Sequence, residues 1–178
     1  MSGHSHWAGI KHKKGVTDQK RGQLFSKLLA AITAAAKQEP NPDFNLRRRT
    51  AIAKARENKV PAENIDRAVA RASEENNSLE ELTLEAYGPG GVAILIQTVT
   101  DNKNRTVAEV KNILSDCGGK WAEIGSVRWA FESDPSEPGI WKAKFPQEIA
   151  DEDKGKIISL IQELEDQEDV QKIFTSAA

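Results

Sequence analysis

The 178-residue sequence contains one cysteine, one methionine and one tyrosine, and only 6% of its residues are aromatic. A single cysteine, Cys117, excludes an intrachain disulfide and suits a reducing compartment. Its place at an expected helix end, beside Gly118 and Gly119, favours a small buried hydrophobe over a nucleophile. The longest strongly apolar run, Leu28 to Ala36, is far shorter than the roughly 20 residues a membrane span needs. Before Gly15 there is no apolar stretch of the signal-peptide kind, which argues against export. The first acid is Asp18, as in transit peptides, but the opening lacks an amphipathic apolar face. The expected location is therefore cytoplasmic, or an organellar matrix if a transit peptide has been removed. No HExxH, Ser/His/Asp order or pair of carboxylates in an apolar setting is present. GPGG, residues 88–91, precedes a strand rather than a helix and so is not a phosphate loop. Neither catalysis, a small-molecule substrate nor a cofactor is expected.

Charge is present in quantity and is unevenly placed. The net charge is −2. Residues 1–71 nevertheless hold 15 Lys and Arg against 6 Asp and Glu, a balance of +9, while residues 72–178 hold 10 against 21, a balance of −11. Such asymmetry points to a polyanion-binding half joined to a half with another task. Acidic surface elsewhere keeps polyanion binding from spreading over the molecule.

The opening GHSHWAGIKHKKG carries all three histidines, His4, His6 and His12, together with Trp7, Lys11, Lys13 and Lys14. The histidines have the right chemistry for zinc or copper. With no cysteine or carboxylate nearby to complete a ligand set or a supporting shell, no metal site is expected. Two further basic segments follow, Lys20/Arg21/Lys27 and Arg47–Arg49 with Lys54 and Arg56. One such segment would pass for a solvated helix face; three in succession point to phosphate. Lysine and arginine neutralise phosphates and release counterions, arginine forks onto phosphate and stacks on bases, and Trp7 can stack on an exposed base. His4 and His12 can hydrogen-bond phosphate or bases and gain charge in a polyanion's field.

Periodicity predicts a helix capped by Thr17 and running to about Gln38, with Leu24, Phe25, Leu28, Leu29 and Ile32 on one face. EPNPD interrupts it. A second helix is expected over about 45–58, with only Leu46, Ile52 and alanines able to face a core, and a third begins near Pro61 with Ile65, Val69 and Ala72 inward. SEENNSLEE, residues 73–81, reads as a linker, which divides the chain into a basic helical domain over 1–75 and an α/β domain over 82–178. Strands are expected at 82–87 and 92–100, followed by a helix opened by a Thr106-x-x-Glu109 capping box and ended by Gly118. Alternation over 127–131 and 141–145 predicts two more strands; a helix through Ile157, Ile158, Ile161 and Leu164 and a strand over 170–174 follow. The class is α+β: a three-helix basic domain, then a ferredoxin-like β-α-β-β-α-β unit preceded by one extra strand. That plan hosts many functions and selects none.

Several motifs in order give a more specific indication. GHSHWAGIKHKKGVTDQKRGQLFSKL, NLRRRTAIAKARENKVPAENIDRAV, EAYGPGGVAILIQTVTDNKNRT, GSVRWAF and LIQELEDQEDVQKIF closely resemble the YebC/PmpR family, which includes the mitochondrial translational activator of cytochrome oxidase. The resemblance implies a regulator of gene expression, acting either on promoter DNA or on the ribosome, where it aids translation, notably through proline-rich stretches. It assigns nucleic-acid contact to Lys11, Lys13, Lys14, Lys20, Arg21, Lys27 and Arg47–Arg49. Two departures stand out: His6 and Gly9 replace residues that are typically Lys and Asn, and SDPSEPG stands where the family usually inserts a small third α/β domain. The expected function is a non-enzymatic, ribosome- or RNA-associated translation factor that binds rRNA or tRNA. The alternatives are a DNA-binding transcriptional regulator and a protein-interaction adaptor working through the acidic second half.

Overall fold

The computed structural model describes residues 18–137 and 139–178. Three helices come first: α1 (Asp18–Gln38), α2 (Leu46–Glu57) and α3 (Ala62–Arg71). Leu28 and Ile32 of α1 pack against Ala55, Val60, Ile65 and Ala68, a compact apolar centre of small and branched side chains. Asn45 ties the first two helices together. Its Oδ1 accepts the Arg48 backbone N–H at 2.7 Å, capping α2, and its Nδ2 donates to the carbonyls of Ala35 and Glu39. Leu46, expected inside, is 45% exposed, because Ala51, Ile52 and Ala55 already fill the inward side of α2. The capping residue expected for α1, Thr17, lies outside the described residues.

The remainder is built on a four-stranded antiparallel sheet of order β3-β1-β2-β6, comprising β1 (Glu80–Tyr87), β2 (Ala93–Thr100), β3 (Lys120–Ala122) and β6 (Val170–Thr175). α4 (Lys103–Asp116) and α5 (Asp151–Asp166) cover one face. There Val110, Leu114, Ile157, Leu160 and Leu164 meet Leu84, Ala86, Ile94 and Ile96. The other face is shared. Part is covered by Val127, Ala130 and Phe131, which sit on Ala93, Leu95 and Ala122; part faces α1 and α2 across a cleft. The chain is thus α+β, with the helical layer first. The strand expected to lie in front of the α/β unit, β1, occupies the centre of its sheet.

Individual elements differ from expectation for identifiable reasons. Glu80 and Glu81, expected in the linker, begin β1 because they pair with Thr100 and Val99. α4 starts a turn earlier than the Thr106 capping box. Asn102 is the cap, its Oδ1 accepting from Arg105 N, while Thr106 is buried and donates to Asp169 at 2.6 Å. The alternation at 127–131 is not one strand. Residues 128–130 form a 3-10 turn, because the Glu85 carboxylate accepts the backbone N–H groups of Gly125, Val127 and Arg128. Only β4 (Phe131–Ser133) pairs, with β5 (Trp141–Ala143), as a separate two-stranded hairpin. The segment at the site of the usual third domain therefore closes as a turn, with Asp134 N donating to the Ile140 carbonyl and Lys142 bonded to Asp134. Phe145 extends past β5 and is 62% exposed beside Trp129.

Candidate nucleic-acid interface

The site residues expected in the opening arm, His4, Trp7, Lys11, His12, Lys13 and Lys14, lie outside the described residues. The others fall into three environments. Lys20 and Lys27 project from α1 towards the acidic end of α5. Lys20 pairs with Asp166 at 3.6 Å, and the Lys27 ammonium donates to the Glu165 carbonyl. Burial pushes Lys27 below the usual lysine range, although Glu165, Asp166, Asp169 and Glu168 oppose the shift. These two cations are engaged in joining the helical layer to the sheet. Arg21, one turn earlier than Phe25, is exposed.

On α2, successive side chains turn by about 100°, so Arg47 and Lys54 share one line of the helix while Arg49 and Arg56 share a line almost opposite. The Arg47/Lys54 line faces the sheet across a cleft of about 140 Å³. The Arg47 Nη2 donates to both carboxylate oxygens of Glu81 at 3.0 and 2.8 Å, and its Nη1 donates to the Gln38 Oε1 at 2.6 Å. Arg49 and Arg56 are exposed on the other side. Arg49 donates to the carbonyls of Pro42 and Asp43, and Arg48 to that of Pro40. Carbonyl acceptors orient a guanidinium without cancelling its charge, so Arg48 and Arg49 keep theirs, whereas Arg47 is paired with an acid. The α2 helix therefore presents a cationic outer edge on the connection from α1 and a second set of cations, Arg47 and Lys54, that lines the cleft.

The acidic half supplies groups that sequence reasoning did not mark. Lys172 and Gln171 of β6 line the same cleft as Arg47 and Lys54. Lys172 belongs to an alternating strand and carried no signal of its own; only the packing of β6 beneath α2 brings the two segments together. Asp169 anchors the edge of the sheet: burial raises its pKa, but hydrogen bonds from Thr106, Arg105 and Gln167 outweigh burial and keep it ionised below the usual range. Among the described residues there is no cluster of three or more side chains suited to hold a metal ion, and no helix is long and apolar enough to cross a membrane.

This arrangement has close relatives. Residues 5–75 match the family model described as the TACO1/YebC protein N-terminal domain, and residues 79–135 match that of the TACO1/YebC second and third domain. A crystal structure of a conserved hypothetical protein from Aquifex aeolicus superposes with a TM-score of 0.86 at 31% identity, covering 98% of this chain and 97% of that one. The chain belongs to the TACO1/YebC family. Among curated TACO1/YebC relatives, a probable transcriptional regulatory protein from Chloroherpeton thalassium is 55% identical over 135 residues, which is 74% of this chain and 54% of the relative. One of the same description from Brachyspira hyodysenteriae is 49% identical over 136 residues, 74% and 55% of the two chains. The chain spans about half the length of the curated TACO1/YebC relatives it matches. The second family match ends at residue 135, inside the turn that closes the β4–β5 hairpin.

Proposed function

We propose that this protein is a non-enzymatic, nucleic-acid-binding regulator of gene expression, acting in the cytoplasm as an RNA- or ribosome-associated translation factor. The observation that carries this reading is the outer edge of α2, where Arg48, Arg49 and Arg56 hold charge that no acid pairs among the described residues. Arg21 and the opening arm, with Lys11, Lys13, Lys14, Trp7 and the flanking His4 and His12, extend the cationic set. Contacts of this kind bind phosphate and position a protein without reading base sequence. No α2 or α3 feature marks a reading helix of the helix-turn-helix kind, which favours RNA over a promoter duplex. In this reading residues 1–75 form the binding domain and residues 82–178 a second domain whose acidity confines binding to the first.

Fluorescence anisotropy with an rRNA fragment and with duplex DNA tests it across about 50–200 mM salt. Arg49→Glu combined with Arg56→Glu is expected to weaken RNA binding at least tenfold and to flatten the salt dependence by about 0.7–0.9 log unit per lost contact. Binding that ignores salt would overturn the phosphate reading. A second reading, a DNA-binding transcriptional regulator, is favoured by the description of the curated relatives. Crosslinking in cells followed by sequencing of the attached nucleic acid separates the two: promoter DNA without rRNA enrichment selects the DNA reading.

A further inference from the structure

The cleft between α1, α2 and the sheet contains more positive charge than its acids neutralise. Arg47 and Lys54 enter it from α2, Lys172 from β6 and Glu81 from β1. Glu81 is occupied by the Arg47 Nη2, and neither Lys54 nor Lys172 forms an ion pair among the described residues. Lys172 is half-buried. Burial, together with the fields of Lys54 and Arg47, pushes its ammonium below the usual lysine range, against the opposing pull of Glu137 and Glu81. Arg47 and Lys54 are exposed where they line the cleft, so Lys172 is the cation that bears a cost of partial burial.

The backbone is shaped around the same spot. Lys172 pairs with Gln97 and Val170 with Thr98, so Gln171 is an extra residue in β6, a bulge in the ladder. Consecutive side chains of a regular strand face opposite sides. Here both Gln171 and Lys172 line the cleft, which is what a bulge achieves when it re-aims a side chain. The Gln171 Nε2 is buried with no acceptor, a state that costs about 1–3 kcal/mol unless something completes it. Two ammonium groups without an ion pair among the described residues and the Arg47 guanidinium thus line one cavity, and the bulge sets Gln171 beside them.

We propose that this cleft is a phosphate-binding site in which Lys54 and Lys172 donate to phosphate oxygens and Arg47 stands beside them. Three cations against Glu81 leave a surplus of positive charge that the pull of Glu137 on Lys172 offsets only in part, and a phosphate monoester, about −1.5 to −2 near neutral pH, supplies the opposite sign. The cavity of about 140 Å³ is smaller than the roughly 300 Å³ at which sites for drug-sized ligands begin. It therefore takes the phosphate and a short attached group rather than a whole dinucleotide cofactor. Aliphatic walls, among them Leu28, Ala35, Leu82 and Val99, lower the local dielectric and strengthen the polar bonds. The phosphate is either that of a small free ester or one carried by a nucleic-acid strand.

Amide and side-chain NMR of the full chain tests the site. Inorganic phosphate, ribose 5-phosphate and a trinucleotide bearing a 5′-phosphate are each titrated against sodium chloride of equal ionic strength. The expected result is a saturable shift of the Gln171 side-chain amide and of Lys172, with affinity lost at least tenfold in Lys54→Gln combined with Lys172→Gln. Saturation by the free esters identifies a small phosphorylated ligand, and saturation by the trinucleotide alone identifies a strand phosphate; both support the site. Shifts no larger than those in sodium chloride, or shifts that persist in the double variant, overturn it. Arg49→Glu with Arg56→Glu lies outside the cleft, so it reports on the nucleic-acid reading and leaves binding of inorganic phosphate and ribose 5-phosphate unchanged.

Discussion

Among the described residues Glu85 is the one carboxylate that is fully buried, at 3% exposure, and it shows how a single side chain can override local sequence. Three backbone N–H groups converge on it, at 2.6–2.9 Å, and they turn residues 125–130 away from the strand their alternation suggests. Burial alone would raise the Glu85 pKa; the bonds from Gly125, Val127 and Arg128 prevail and hold it below its ordinary 4.5. Its stabilisation is therefore complete above pH 4.5 and fades as pH falls through the lower folded value. Glu85→Gln is expected to cost on the order of 2–3 kcal/mol at pH 7 by leaving buried donors poorly matched. Urea titrations at pH 7 and in the acid range check this: the gap between wild type and variant shrinks on acidification, and a gap independent of pH contradicts the carboxylate role. The pKa of Cys117, at the C-terminal cap of α4, is raised by burial and by Glu163 and Asp116, consistent with packing rather than nucleophilic chemistry.

At the scale of elements, the helices were legible because each is signalled by its neighbours. The stripe of Leu28 and Ile32, the break at Pro40 and Pro42, and the Asn45 cap are local features, and α1 and α2 form where those features place them. Asn45→Ala removes a cap and two bonds to the end of α1 together. A loss of about 2 kcal/mol is expected, read as a lower thermal midpoint. Ile32 is fully buried in the helical centre, and Ile32→Ala is expected to cost about 2–5 kcal/mol through the cavity it leaves. Short strands were less legible. β3 has only three residues and depends on pairing with Glu85–Tyr87, a partner more than thirty positions earlier. The Thr106 capping box misled for the opposite reason: a local pattern matched, but Asn102 began the helix sooner and Asp169, 63 residues away, claimed the threonine hydroxyl.

At the scale of the molecule, the helical layer and the α/β half have separate apolar centres, yet they meet through polar bonds: Lys27 to Glu165, Lys20 to Asp166 and Arg47 to Glu81. If residues 1–75 and 82–178 are domains, a protease specific for glutamate should cut first at the exposed Glu74 or Glu75. The fragment of residues 1–75 is then expected to retain helical circular dichroism and a cooperative melt. A fragment that is unfolded by the same measurement would show that the helices depend on the sheet.

The sequence alone determined the α+β class, the three leading helices, the concentration of positive charge before residue 72 and the family to which the chain belongs. These follow from periodicity, composition and motif order, all of which are carried by residues near one another in the chain. What each cation does was decided only by tertiary structure. Arg47 and Arg49 are two positions apart, yet one is neutralised by Glu81 and the other remains charged on the outer edge. Lys27 is fixed by a carbonyl 138 residues later, and Lys172 joins Lys54 across the cleft from the far end of the chain. Coulomb and hydrogen-bond energies depend on distance in space, and a sequence specifies that distance only once the chain has folded.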